Sequence, residues 1–155
     1  MNAAILGTYG TFAALGEERG WRGYLQPRLD AAGVRGGFVV VGVCWSVYHA
    51  PFTLLDWNGA IPALALALGK GPVLDISLSY LWAHLPYSAR SLWPAVFLHS
   101  FHNAVSQWLF PKFFAGGDTW LGDGGLLPLA CYVVVALGLA IVRGRRPATT
   151  TARGM

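Results

Sequence analysis

FVVVGVCWSVYHAPFTLLDW, residues 38–57, is the stretch whose reading decides the fold of this chain. At a rise of about 1.5 Å per residue, a helix of this length covers roughly 30 Å, the hydrocarbon thickness of a bilayer. The run is apolar almost throughout, so a membrane-spanning helix is expected, with Pro51 as a kink. Inside it stands an imidazole, His49. Ionisable groups are costly at that depth and persist mainly where they pair, line a wet cavity or do chemistry.

Working outward, four further segments have the same character: residues 3–29, 73–87, 92–110 and 125–142. Residues 58–72 are broken by Gly and Pro around ALALALG and read as a re-entrant piece or a loop. The expected fold is therefore all-α, a polytopic membrane helical bundle of about five membrane segments. Residues 1–142 form the embedded domain, and residues 143–155 form a basic, then Thr/Ala-rich tail expected to be disordered. There is no internal repeat. Residues 1–16 lack the basic flank and small-residue cleavage site of a signal peptide.

Composition agrees. The chain is 55% apolar and 12% charged, with a mean hydropathy of +0.48, whereas soluble domains carry about 25% charged residues. The net charge of +4 does not point to nucleic acid, because the basic residues form no stripe with interleaved aromatics. Cys44 and Cys131 lie in apolar runs without CxxC spacing and are expected to be buried free thiols. Several tryptophans are placed for an interfacial belt.

Five crossings put Arg28, Arg35, Arg90 and the tail's Arg143, Arg145, Arg146 and Arg153 on one side, with Lys70 and Lys112 on the other. The positive-inside bias makes the first side cytoplasmic, the C-terminus with it. An integral protein of the bacterial plasma membrane is expected.

Three short words carry the chemistry: Glu17-Glu18-x-x-x-Arg22, Trp45-x-x-x-His49 and His99-x-x-x-Asn103. Counted from Arg28, from residue 38 and from Arg90, their polar groups lie roughly 14 to 20 Å into the membrane. Three helices thus bring them to one level. Glu18 and Arg22 share a helix face and can pair, while Glu17 points about a hundred degrees away, toward a cavity. Two neighbouring carboxylates in low dielectric repel, which suits one of them to general-base work. His99 and Asn103 also share a face and can donate to a developing oxyanion. His49 can hold a water beside Glu17. The plainer readings are a solvated helix end at EERGWR and interhelical hydrogen bonds for the histidines. His102 is expected to bond a neighbouring helix, and His84 to sit at the interface. Trp21 and Trp45 are expected mainly to pack, near the glutamates and His49.

The three words, in this order and on successive helices, resemble the CPBP (ABI) intramembrane proteases, the family of type II CAAX prenyl endopeptidases and bacteriocin-processing or self-immunity proteins. EERGWRGYLQPRL (residues 17–29), WSVYHAPF (45–52) and SLWPAVFLHSFHNAV (91–105) carry the likeness over about residues 12 to 110. The resemblance implies a glutamic-type intramembrane endopeptidase, formerly called a metalloprotease, that hydrolyses a peptide bond near the membrane face. Glu17 would activate the water, His49 assist it, and His99 with Asn103 stabilise the oxyanion, with Glu18 and Arg22 in support. A membrane-associated peptide or protein is the implied substrate and the lipid bilayer the surroundings. The alternative is a non-catalytic bacteriocin self-immunity protein that acts by binding; intramembrane Glu and His also build ion relays. Trp45 stands where the family word usually has Phe. Family members usually carry further membrane helices before the glutamate word, so a fragment or a minimal member is expected. No cofactor is expected: Glu17, His49 and His99 would be the zinc set, but there is no HExxH and Asn103 is a poor zinc ligand.

Overall fold

A computed structural model describes residues 3–55, 61–109 and 125–144, and among these every regular element is helical. Helix α1 (Ala3–Gly20) runs through a π-helical turn (Trp21–Leu25) into α2 (Gln26–Ala31). Helix α3 spans Gly37–Leu55 and α4 spans Ile61–Ala89. Helix α5 (Trp93–Asn103) continues into a second π-helical turn, Ala104–Leu109, and α6 covers Leu126–Gly144.

Local chemistry explains the boundaries. Pro27 lacks an N–H and stands as the second residue of α2, directly after the π turn. The π turn before it sends the Gln26 N–H to the Trp21 carbonyl, five residues back, so the helix continues without a break. After Ala31 the chain reverses through Gly33 (φ 72°) and Gly36 (φ 75°), left-handed conformations that glycine adopts without a Cβ penalty. Pro51 is carried inside α3.

Among the described residues, three helical stretches are long and apolar enough to cross a membrane: Gly37–Leu55, Leu64–His84 and Leu126–Arg143. The other two expected segments, α1 with its continuation and α5 with its π turn, are shorter or more charged and carry two of the three polar words. A bundle of about five membrane segments is the result. Its polarity is inverted relative to a soluble protein: Glu18, Arg22, Asp75, Ser79 and His99 are buried, while Val43, Val47, Val134, Leu137 and Ile141 are exposed. Exposed apolar side chains are stable facing lipid, and buried polar ones require partners inside.

Helix α3 packs most extensively on α4, α1 on α5, and α4 on α6. The α3–α4 crossing is close because Gly42 has no side chain: a Cβ there would lie 2.5 Å from the Ile76 Cα. Trp45, Leu78 and Trp82 form the centre of this contact. Thr11 and Ser100 hydrogen-bond at 3.0 Å between α1 and α5.

Several expectations are corrected. Residues 61–72 form no loop or re-entrant piece but the first turns of α4, which holds its helix through Gly69, Gly71 and Pro72. Packing outweighs their weak propensity here, with Gly71 close against Ser46 of α3. Lys70 is consequently a residue of α4 and not of an outer loop. Cys44 and Cys131 are exposed rather than buried, since their helix faces turn outward to where lipid supplies the apolar surroundings. Trp82 is a core residue, 2% exposed, and not part of an interfacial belt, whereas Trp45, equally buried, packs as expected. His84 is part-buried, with its ring edge-on to Tyr80 at 5.0 Å. Asn58, Lys112, Trp57, Trp120 and residues 145–155 lie outside the described residues.

Candidate active site

The two neighbouring glutamates have opposite surroundings. The Glu18 side chain is fully buried, and its Oε1 accepts from Arg22 Nη1 at 2.9 Å, one helical turn on. The same oxygen stands 2.9 Å from His99 Nδ1 on α5. Arg22, itself buried, also donates Nη2 to Ser79 Oγ of α4 at 3.1 Å. Its guanidinium lies over the rings of Trp45 and Trp82 at 4.7 and 5.2 Å. A buried cation so enclosed is held by an anion, a hydroxyl and two π faces, and it joins α1's continuation to α3 and α4, while Glu18 makes the link to α5.

Glu17, one residue earlier, turns the other way. Its Oε2 accepts from Trp45 Nε1 at 2.7 Å and stands 3.9 Å from His49 Nε2. Its side chain keeps 21% of its exposure, against none for Glu18. The expected division of labour, one carboxylate neutralised and one open, is therefore present in the geometry.

Glu17, His49, His99 and Asn103 all line one cavity of about 460 Å³, together with Trp45, Asp75 and His102. Its remaining wall is apolar and aromatic, from Ala13, Tyr48, Phe52, Leu74 and Leu78. Helices α1, α3 and α5 thus deliver residues of their polar words to a single space. Both π-helical turns lie at this site: one contains Arg22, and the other begins just after Asn103. Such turns shift the register of the side chains that follow and are frequent at functional sites. His102 hydrogen-bonds Tyr132 of α6 at 2.8 Å, the neighbouring-helix bond expected of it. Trp21 packs against the core, and its Nε1 is buried with no hydrogen-bond partner among the described residues.

Three features had not been singled out. Trp45 supplies a donor to Glu17, which a phenylalanine at that position would lack. Ser79 braces Arg22. Asp75 reaches the cavity from α4, its Oδ2 3.9 Å from His49 Nδ1. An aspartate within VLDISLSYLW, residues 73–82, was the available signal. A segment read from residue 73 puts Asp75 at a helix end, whereas α4 begins at Ile61 and holds it at mid-helix. Among the described residues, no three His, Cys, Asp or Glu side chains are arranged to hold a metal ion.

The inverted polarity and the glutamate–histidine cavity define the class: a membrane-embedded helical protein with an ionisable site sunk between its helices. A family model described as type II CAAX prenyl endopeptidase Rce1-like matches residues 1–105. The chain belongs to that family of CAAX-protease-like intramembrane endopeptidases. No curated protein and no solved structure matches it.

Proposed function

We propose that this protein hydrolyses a peptide bond of a membrane-associated substrate by glutamate-activated water, without a covalent acyl-enzyme and through side chains alone. The observation that carries the reading is Glu17: an open carboxylate facing His49 across 3.9 Å, while its neighbour Glu18 is locked in a buried ion pair. That gap is too long for a direct hydrogen bond and fits a bridging water. Glu17 takes a proton as the water oxygen bonds to the carbonyl carbon. The resulting oxyanion is met by His99 and Asn103. On collapse the C–N bond breaks, and the proton held by Glu17 passes to the leaving amine.

Glu18 constrains His99. A carboxylate only accepts, so His99 carries a hydrogen on Nδ1. Its Nε2 then donates to an oxyanion only in the imidazolium form, and the anion behind the ring compensates that charge. Glu18 and Arg22 support the site in this way. We further propose that the C-terminus faces the cytoplasm of a bacterial cell, a reading that the charge asymmetry of the sequence supports for the orientation.

The test is cleavage, by detergent-solubilised protein, of quenched fluorescent peptides ending in a CAAX sequence, farnesylated and unmodified, with and without a chelator. Cleavage by the wild type, insensitive to the chelator, is expected to fall about 10²- to 10⁴-fold in Glu17→Gln. Full activity of Glu17→Gln would remove the proposal. Protection against a bacteriocin that survives Glu17→Gln would turn the reading to self-immunity by binding.

A further inference from the structure

The reaction assigned to Glu17 leaves one buried carboxylate of the cavity without a task. Asp75 sits near the middle of the α4 membrane stretch Leu64–His84 and is 6% exposed. An acid at that depth is retained where it pairs or does chemistry. Its Oδ2 lies 3.9 Å from His49 Nδ1, while the other ring nitrogen, Nε2, lies 3.9 Å from Glu17 Oε2. The imidazole therefore stands between two carboxylates, one from α1 and one from α4. The rings of Trp45 and Tyr48 border it within α3, at 5.7 and 5.3 Å between centroids. The close α3–α4 crossing at Gly42 and Ile76, next to Asp75, creates this juxtaposition.

We infer that Asp75 is a positioning residue that holds His49 with its hydrogen on Nδ1, so that Nε2 presents a lone pair toward Glu17. The inference rests on the reaction proposed for Glu17 and gives it a stereochemical reason. In a neutral imidazole one nitrogen donates and the other accepts, and the partner of one sets the role of the other. At 3.9 Å neither carboxylate hydrogen-bonds the ring directly; Asp75 is the more buried of the two, and Glu17 Oε2 already accepts from Trp45 Nε1, so the less screened charge of Asp75 favours the N–H on Nδ1. A water between His49 and Glu17 then donates one O–H to Nε2 and the other to Oε2. Both hydrogens are engaged, and an oxygen lone pair is left for the carbonyl carbon. The opposite tautomer would donate its Nε2–H into that lone pair and oppose attack. Asp75 exchanges no proton: on attack one proton of the water goes to Glu17, and His49 keeps the hydrogen bond to the other.

The inference is tested by ¹⁵N NMR of the full chain labelled at histidine, in micelles at about pH 8, above the ordinary histidine pKa. The His49 signals are identified by their loss in His49→Asn. The wild type is expected to show the Nδ1–H form. Asp75→Ala is expected to move His49 toward Nε2–H, and Asp75→Glu to restore it. In the peptide assay, Asp75→Ala is expected to lower kcat about tenfold or more while KM stays within about twofold, with partial rescue by Asp75→Glu. A purely structural role would leave the tautomer unmoved. Nε2–H in the wild type, or an unchanged tautomer in a folded Asp75→Ala, overturns the inference alone. Full activity of Glu17→Gln overturns the proposed reaction instead, and with it the catalytic use of Asp75.

Discussion

Replacing Gly42 by alanine tests whether the α3–α4 crossing sets both stability and site geometry. The added Cβ would meet the Ile76 Cα at 2.5 Å, its N at 2.7 Å and its Cγ1 at 2.8 Å. Carbon atoms prefer about 3.5–4.0 Å, so the helices must part by about 1 Å. Backbone atoms cannot rotate aside as a side chain does. Overpacking of this kind costs about 1–3 kcal/mol. Against it stands the better helix propensity of alanine, about 0.8–1.0 kcal/mol over glycine. Gly69→Ala and Gly138→Ala are the controls, because a Cβ at either position meets nothing within 4 Å. They carry the propensity gain alone, so Gly42→Ala should fall below them by about 1–3 kcal/mol. At about 2–4 °C per kcal/mol for a chain of this size, the gap is roughly 2–12 °C in Tm. Thermal melts in detergent followed by tryptophan fluorescence read it directly, since Trp45 and Trp82 lie in the affected contact. The same parting moves His49 from Asp75, and a misplacement of about 1 Å can cost up to about a hundredfold in rate. If Gly42→Ala melts with its controls and cleaves at the wild-type rate, the close crossing has neither role.

Removing one partner of a buried ion pair leaves the other charge uncompensated, so Arg22→Met should destabilise by about 3–5 kcal/mol in the same melts. Most of that loss should return in the Glu18→Gln/Arg22→Met double variant. Tyr132→Phe removes the His102 bond to α6 and should cost about 0.5–1.5 kcal/mol, loosening α6 without abolishing cleavage. Cys44 and Cys131, exposed on the outer surface, should react with N-ethylmaleimide in detergent and far more slowly in lipid vesicles, where lipid covers them. Equal labelling in the two media would contradict a lipid-facing placement.

Much of the architecture was legible because hydropathy and spacing are local properties. The runs that became α3 and α6 needed only their own composition. The i,i+4 spacing of Glu18 and Arg22 predicted a pair, and one is found at 2.9 Å. The opposite heading of Glu17 followed from the same helical angle. The first turns of α4 were not legible, because Gly69, Gly71 and Pro72 each argue for a break in isolation. Contact with α3 keeps the helix whole, and no local rule contains that contact. Misplacing the helix start hid Asp75 and put Lys70 in a loop. The two cysteines were misjudged for a related reason: an apolar run says that a residue avoids water, not whether protein or lipid surrounds it.

The sequence by itself determined that apolar helices of bilayer length would form and that three of them would carry ionisable groups at one depth, since length and periodicity are written into each segment separately. Which of two adjacent carboxylates is open, and which is spent on Arg22 and His99, was decided only by the tertiary structure. Glu18 and His99 lie 81 residues apart. Their bond exists because α1 and α5 are pressed together, and a desolvated charge in that contact must find its partner there.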